Sequence, residues 1–113
     1  MTVKARKYLS DILYSIELIE QFLSPTPSFH KYSNDLKTKA AVERYLTIIG
    51  EAVHLFSKED SVGNQLSSAA QIISFRNRLV HAYDAIDDAI VWAAVKKGLP
   101  KLKKEVIALL GTP

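Results

Sequence analysis

Apolar residues recur at every third or fourth position along most of this 113-residue chain, and no segment alternates apolar and polar residues over the length of a β-strand. This spacing places the apolar side chains on one face of an α-helix. The first stripe predicts a helix of about twenty residues, which Pro25 and Pro27 end. It runs through Leu9, Ile12, Leu13, Ile16, Ile19 and Leu23. The pattern predicts an all-α fold.

A second long helix is predicted after a loop over residues 24–33, with Ser33 or Asn34 as its cap. Gly50 interrupts the apolar stripe of this helix. A mid-helix glycine costs about 1 kcal/mol relative to alanine, so we expect a neighbouring helix to approach closely at this position. The stripe itself consists of Val42, Tyr45, Leu46, Ile49, Val53 and Phe56.

The remaining helices are less regular. A third is predicted from Asn64 to about Tyr83, and the drift of its apolar stripe indicates contact with more than one neighbour. Asp87 is the expected cap of a fourth helix. The stretch 102–110 is either a separate short helix or a kinked continuation of the fourth. We therefore expect residues 1–113 to form a single domain, an up-and-down bundle of four to five helices.

Composition excludes several classes of protein. The chain has no cysteine, so it contains no disulfide framework, no thiolate zinc site and no cysteine nucleophile. The N-terminal segment lacks the uninterrupted apolar core of a signal peptide. The longest apolar run, residues 89–95, is far shorter than the roughly 20 residues of a membrane span. We expect a cytoplasmic protein that does not cross a membrane.

The formal charge of +3 is unevenly distributed. Basic residues crowd both ends of the chain, whereas residues 8–95 are acidic on balance. The C-terminal lysines alternate with apolar residues at helical spacing, which is more typical of the solvated face of an amphipathic helix than of a nucleic-acid site.

Candidate catalytic residues are few, because the sequence has neither an HExxH motif nor a glycine-rich phosphate loop. His30 falls in the predicted loop, and we interpret it as a surface residue. His54 lies between two apolar arcs of the second long helix and is interpreted as a boundary residue.

The third histidine, His81, belongs to a polar cluster on an otherwise apolar helix. Asn77 and Arg78 lie one turn before His81 and share its face, whereas Arg76 lies roughly 140° away. On a continuous helix Arg76 and Tyr83 would be nearly eclipsed. Arg76 and His81 are thus expected to flank a groove, unless a second copy of the chain brings its own set alongside. The alternative is that these side chains pair with nearby acids at the helix end, namely Asp84, Asp87 and Asp88.

The spacing of Arg76, His81 and Tyr83 matches the RX4HXY motif of the HEPN superfamily, specifically the HepT-like toxins that pair with minimal nucleotidyltransferase (MNT) antitoxins. Residues 41–52 (AVERYLTIIGEA) resemble the second-helix signature of that family, and residues 86–102 resemble its later segment. The resemblance covers nearly the whole chain. One departure lies at residues 68 and 69, where Ser-Ala stands in place of a Pro-Trp pair found in many relatives.

The resemblance implies a HEPN-like bundle that dimerises and acts as a metal-independent endoribonuclease, the toxin of a type II toxin–antitoxin pair. No cofactor and no metal are expected. The implied partners are an RNA substrate, a second copy of the chain as a homodimer, and a cognate MNT-type antitoxin.

The same resemblance assigns roles to five residues. His81 would act as acid or base and Arg76 as the phosphate and transition-state clamp, which are chemistries that imidazole and guanidinium groups supply. Asn77 would orient RNA or the imidazole, and Arg78 would contact phosphate. Tyr83 would accept AMP from the antitoxin, which would block the cleft by its bulk and charge.

Two other functions are compatible with the sequence. One is a non-catalytic substrate-binding or regulatory subunit of a two-gene nucleotidyltransferase. The other is an inert helical dimer whose motif stabilises the interface.

Overall fold

A computed structural model describes residues 1–25 and 28–111, and every regular element in these ranges is helical. A 3₁₀ turn at Tyr83–Ala85 separates α4 from α5, and a π-helical segment at Ala94–Gly98 joins α5 to α6. The helices are α1 Val3–Leu23, α2 Phe29–Ser33, α3 Leu36–Ser57, α4 Ala69–His81, α5 Asp88–Ala93 and α6 Leu99–Leu110. The predicted all-α bundle is confirmed.

The core lies between α1 and the helices that pack on either side of it, α3 and α6. The start of α1 lies beside the ends of both neighbours: Thr2 bonds Glu59 just beyond α3, and Arg6 donates to the carbonyl of Leu110 on α6. Both pairs are therefore antiparallel. The predicted stripes of α1 and α3 supply most of the buried core, including Leu9, Ile12, Ile16, Ile19, Val42, Ile49, Val53 and Phe56.

The first connection is more ordered than the predicted loop. It contains the short helix α2, whose Tyr32 is buried and packs on Trp92 with 5.4 Å between ring centroids. The prediction that Ser33 or Asn34 caps the second long helix is wrong, because Asp35 accepts from the backbone N–H of Thr38. Pro27, predicted to help end α1, lies outside the described residues.

The prediction of a third helix from Asn64 to Tyr83 is too long at both ends. Glu105 of α6 accepts from the N–H and hydroxyl of Ser67, which holds this segment in turns until α4 begins at Ala69. At the other end, Ala82 leaves the helical conformation with φ −133° and ψ 36°. Tyr83 therefore begins a separate turn and does not continue the helix of Arg76, although the predicted eclipse assumes one continuous helix.

The C-terminal part behaves as the kinked continuation that was one of the two predicted alternatives. Asp87 caps α5 by accepting from the N–H of Ala89, as predicted. The N–H of Leu99 donates five residues back to the carbonyl of Ala94, and Pro100 follows in the first turn of α6. The wide π turn accommodates a proline, which cannot donate to the ladder itself.

No helix within residues 1–25 and 28–111 combines the length and apolar character required to cross a membrane.

Candidate functional site

Arg76 on α4 lies directly against the backbone of α3 at Gly50. A Cβ added to Gly50 would overlap the Cβ and Cγ atoms of Arg76. The expected close approach of a neighbouring helix at Gly50 is confirmed, and the neighbour is the motif arginine itself. The glycine thus determines how deeply Arg76 sits between the two helices.

Glu51, the residue after Gly50, orients the guanidinium of Arg76. Its Nη2 lies 3.2 Å from Oε2 of Glu51, and the arginine side chain is only 18% exposed. Its Nε is buried and has no hydrogen-bond partner among the described residues. A guanidinium held at one edge in this way retains donors with which to bind an anion.

The alternative, in which the polar side chains of α4 pair with acids at its end, is wrong for Arg76, and two of the three acids have other partners. Asp87 caps α5, and Asp88 pairs with Lys39 at 2.8 Å. Arg76 instead pairs with Glu51 of α3, which lies 25 positions earlier in the sequence. Its ion pair therefore joins two helices and does not merely close a helix end.

Arg76 belongs to an open groove of about 480 Å³ between α1, α3 and α4. Residues of α3 that share one helical face line it from the middle, and α1 and α4 contribute from the sides. The lining comprises Lys7, Tyr8 and Asp11 of α1; Arg44, Thr47, Ile48, Glu51, Ala52 and Leu55 of α3; and Arg76 and Val80 of α4. The groove combines cations with an apolar surface.

His81 is the last residue of α4 and is exposed. Asn77 and Arg78, one turn earlier, are exposed as well, so the predicted polar face of this helix is present. His81 does not line the groove that holds Arg76. The structure thus groups Asn77, Arg78 and His81 on the solvent side of α4 and places Arg76 on the side that packs on α3, in agreement with the predicted angular separation.

Tyr83 is the first residue of the 3₁₀ turn after α4. Its side chain is not among the described groups, so its role as an AMP acceptor stays a prediction. His30 is exposed, as expected, but it lies on the short helix α2 and not in a loop. His54 is half-buried on α3, as expected.

Sequence reasoning missed Glu51 and Arg44 as site residues. Both lie on the groove face of α3, and a signal for Glu51 was present, since it directly follows the glycine that marks the close approach. For Arg44 the only signal was its spacing of seven residues from Glu51, which places both on one helical face.

A second polar cluster lies away from the groove and joins α2, α3 and α5. Lys39 pairs with Asp88, which also accepts from the hydroxyl of Ser33. Burial, reinforced by the carboxylates of Glu43 and Asp88, raises the pKa of the Tyr32 hydroxyl. Burial and the nearby Asp88 likewise raise the pKa of Glu43. These contacts are internal to the bundle, so we interpret the cluster as structural.

Within the described part of the chain, no group of three or more histidine, aspartate and glutamate side chains lies close enough to hold a metal ion.

Comparisons with known proteins identify the family of this chain. The family described as "Ribonuclease HepT-like" matches residues 12–109. "Probable ribonuclease HepT" of Thermococcus cleftensis is 36% identical over 87% of this chain and 88% of its own length. A candidate RNase of Methanocaldococcus jannaschii is 32% identical over 89% of this chain and 92% of its own length. Another, from Caldanaerobacter subterraneus, is 31% identical over 93% of both chains.

No solved structure matches the chain at a significant level. The family match alone covers most of the sequence, and the chain belongs to the HepT-like ribonuclease family of HEPN type.

Proposed function

We propose that this chain is an endoribonuclease that cleaves RNA without a metal ion, with Arg76 and His81 as its catalytic residues. The observation that carries the proposal is the placement of Arg76, whose guanidinium is held by Glu51 at the edge of an open groove. Membership of a family of named ribonucleases supports the reaction class. The 113 residues would act as one HEPN-like domain.

The proposed reaction is attack of a ribose 2′-oxygen on the adjacent phosphorus. One imidazole removes the proton of the 2′-OH as the 2′-oxygen–phosphorus bond forms and the phosphorus–5′-oxygen bond breaks. The leaving 5′-oxygen takes a proton from an imidazolium or from water, giving a 2′,3′-cyclic phosphate and a 5′-hydroxyl. Imidazole suits these transfers because it ordinarily titrates near neutral pH. The guanidinium of Arg76 stabilises the charge that accumulates on the phosphoryl oxygens. Asn77 and Arg78 orient the RNA from the exposed face of α4.

A second copy of the chain completes this cleft in the proposal. Arg76 and His81 project about 140° apart from one helix, so a single copy does not direct both at one phosphate. A two-fold axis near α4 would bring the arginine of one copy towards the histidine of the other. Dimerisation is therefore part of the proposed mechanism.

We further propose that the chain is the toxin of a two-gene cytoplasmic pair, with an MNT-type enzyme as its antitoxin. That enzyme would transfer AMP from ATP to the hydroxyl of Tyr83, releasing pyrophosphate. Tyr83 follows the end of α4 by two residues, close to His81 in sequence. The added phosphodiester would repel RNA phosphate by like charge.

The chemistry is tested with a defined oligoribonucleotide in the presence of EDTA. We expect cleavage to persist, to produce 2′,3′-cyclic phosphate ends, and to stop when the nucleotide before the cut carries a 2′-deoxyribose. Loss of cleavage with EDTA, or cleavage of the deoxy substrate, would contradict the mechanism. A preparation that never cleaves RNA would favour a non-catalytic subunit of a two-gene nucleotidyltransferase.

The modification is tested by intact-mass measurement of the chain co-expressed with its neighbouring nucleotidyltransferase. The expected result is an AMP adduct on Tyr83 of the parent chain and no adduct at that site in Tyr83→Phe. Adducts that map elsewhere in the parent chain would overturn this part of the proposal.

A further inference from the structure

The groove between α1, α3 and α4 contains three cations and two carboxylates. The three cations differ in whether a carboxylate pairs with them. Lys7 is engaged by Asp11, with 2.8 Å between Nζ and Oδ2. Arg76 is engaged by Glu51. The third cation, Arg44, is exposed, and its side chain makes no ion pair or hydrogen bond among the described residues. Both carboxylates of the groove therefore already form ion pairs with other cations, and neither neutralises the charge of Arg44.

The position of Arg44 relates it directly to the proposed cleavage site. Arg44 and Glu51 are seven residues apart on the same face of α3, which corresponds to about 10 Å along the helix axis. Since Glu51 holds the guanidinium of Arg76, the two arginines occupy successive positions along one groove. A single phosphate group cannot span this separation, so the two arginines would contact different phosphates of one strand.

The lining of the groove around the two arginines suits a nucleic-acid strand better than an isolated anion. Ile48, Leu55 and Val80 provide apolar contacts, and Val80 is 42% exposed although it is a large apolar side chain. Thr47 adds a hydroxyl whose proton is donated within α3 to the carbonyl of Glu43, so its oxygen can still accept a bond. A single phosphate would leave most of this 480 Å³ groove empty.

We infer that this groove binds the sugar–phosphate backbone of single-stranded RNA, with Arg44 binding a different phosphate of the strand from the one that Arg76 clamps. This inference rests on the proposed function, and it adds a binding residue outside the RX4HXY motif. Arg44 acts on binding and does not touch the reacting atoms. It therefore affects RNA affinity and KM, and leaves the rate of the chemical step unchanged.

The test measures binding separately from cleavage. The probe is a fluorescent oligoribonucleotide of about 12 nucleotides, 2′-O-methylated throughout so that no 2′-OH can attack. Its affinity is measured over a range of salt concentrations for the parent, Arg44→Ala, Arg44→Lys and Lys101→Ala. Lys101 is an exposed α6 residue outside the groove, so its variant carries the same change in net charge.

We expect Arg44→Ala to weaken binding about fivefold and to reduce the slope of log affinity against log salt by about 0.7, the contribution of one phosphate contact on a single strand. Arg44→Lys retains the charge and should retain the slope. Lys101→Ala should match the parent. On a cleavable RNA, Arg44→Ala should raise KM with kcat unchanged.

Equal losses in Arg44→Ala and Lys101→Ala would overturn the inference, because the effect would then follow net charge alone. Unchanged RNA binding together with lost co-purification of the neighbouring nucleotidyltransferase would identify the groove as a protein-docking surface and would also overturn it. If the parent binds the probe through Arg44 but never cleaves RNA, the proposed catalytic function fails while the binding inference stands.

Discussion

Gly50 has no side chain, and this allows Arg76 to pack directly against the backbone of α3. The Cβ and Cγ atoms of the arginine occupy the space that an alanine methyl would require. Glu51, the next residue, then binds the guanidinium and fixes its orientation. Two adjacent residues of α3 thus position the one arginine that the proposed chemistry depends on.

Gly50→Ala should destabilise the fold even though alanine is the better helix former. Overpacking costs roughly 1–3 kcal/mol, and the gain in helix propensity returns about 1 kcal/mol at most. Gly98→Ala is the matched control, because a Cβ there meets nothing within 4 Å; it should be stabilising by about 0.5–1 kcal/mol. Urea unfolding of both variants measures the difference. Equal stabilisation by the two alanines would show that α3 and α4 are not in close contact at Gly50.

Glu51→Gln should lower kcat for RNA cleavage about tenfold by releasing one edge of the guanidinium. The carboxylate is 52% exposed, so the free energy of unfolding should change by less than about 1 kcal/mol. Glu51→Asp should restore part of the rate. Single-turnover kinetics beside urea unfolding separates the two effects. Parental kcat in Glu51→Gln would mean that Arg76 needs no such support.

At the scale of the helices, the sequence predicts features that neighbouring residues determine better than helix ends that depend on distant contacts. The stripe of α1 and the Asp87 cap are encoded within a few neighbouring residues, and both were predicted. The predicted start of α4 is wrong because the N–H and hydroxyl of Ser67 donate hydrogen bonds to Glu105, which lies 38 positions later in the sequence. The start of α3 was misplaced because α2 forms in the preceding segment, where Tyr32 packs on Trp92.

The residues of the candidate site also differ in how far the sequence predicts them. The spacing on one helix makes Arg76, Asn77, Arg78 and His81 candidates, and their roles stay predictions. The Glu51 partner of Arg76 depends instead on how α3 and α4 pack. Gly50 gave the only sequence signal for that packing. It predicted a close approach without identifying which residue approaches.

The cap of α3 predicts a specific dependence of stability on pH. The hydroxyl and backbone N–H of Thr38 donate to Asp35 at 2.7 and 3.1 Å and hold the pKa of that carboxyl below its ordinary value. A lowered folded-state pKa means that the unfolded chain takes up the proton first. The stability supplied by the carboxylate is therefore present above the ordinary aspartate pKa of about 3.9, and it is lost as pH falls through the lowered value.

Asp35→Asn keeps a capping side chain but does not titrate. Thermal unfolding between about pH 6 and pH 3 should show the parent losing its advantage over Asp35→Asn as the solution becomes acidic. A constant difference in Tm across this range would show that the Asp35 cap does not depend on its charge.

At the scale of the whole molecule, one helix separates the two proposed catalytic groups. Arg76 lies in the groove on the α3 side of α4, and His81 lies exposed at the helix end. A cleft shared by two copies resolves this separation, because each copy then supplies the group that the other cannot direct to the same phosphate.

If the clefts are shared, mixing two inactive variants should restore part of the RNA-cleavage activity. If each cleft pairs Arg76 of one copy with His81 of the other, a mixed dimer of Arg76→Ala and His81→Ala retains one intact cleft. Random pairing should then restore about a quarter of the parental rate. Unfolding and refolding the two variants together, followed by a cleavage assay, measures this. No recovery in a verified mixed dimer would contradict the shared cleft.

The most direct test of the central claim, that Arg76 and His81 carry RNA cleavage, is the rate at which purified parent, Arg76→Ala, His81→Ala and Lys101→Ala cleave the same oligoribonucleotide. We predict that the parent and Lys101→Ala cleave at similar rates, and that Arg76→Ala and His81→Ala are each slower by about a hundredfold or more. Cleavage by Arg76→Ala and His81→Ala at the parental rate would contradict the account.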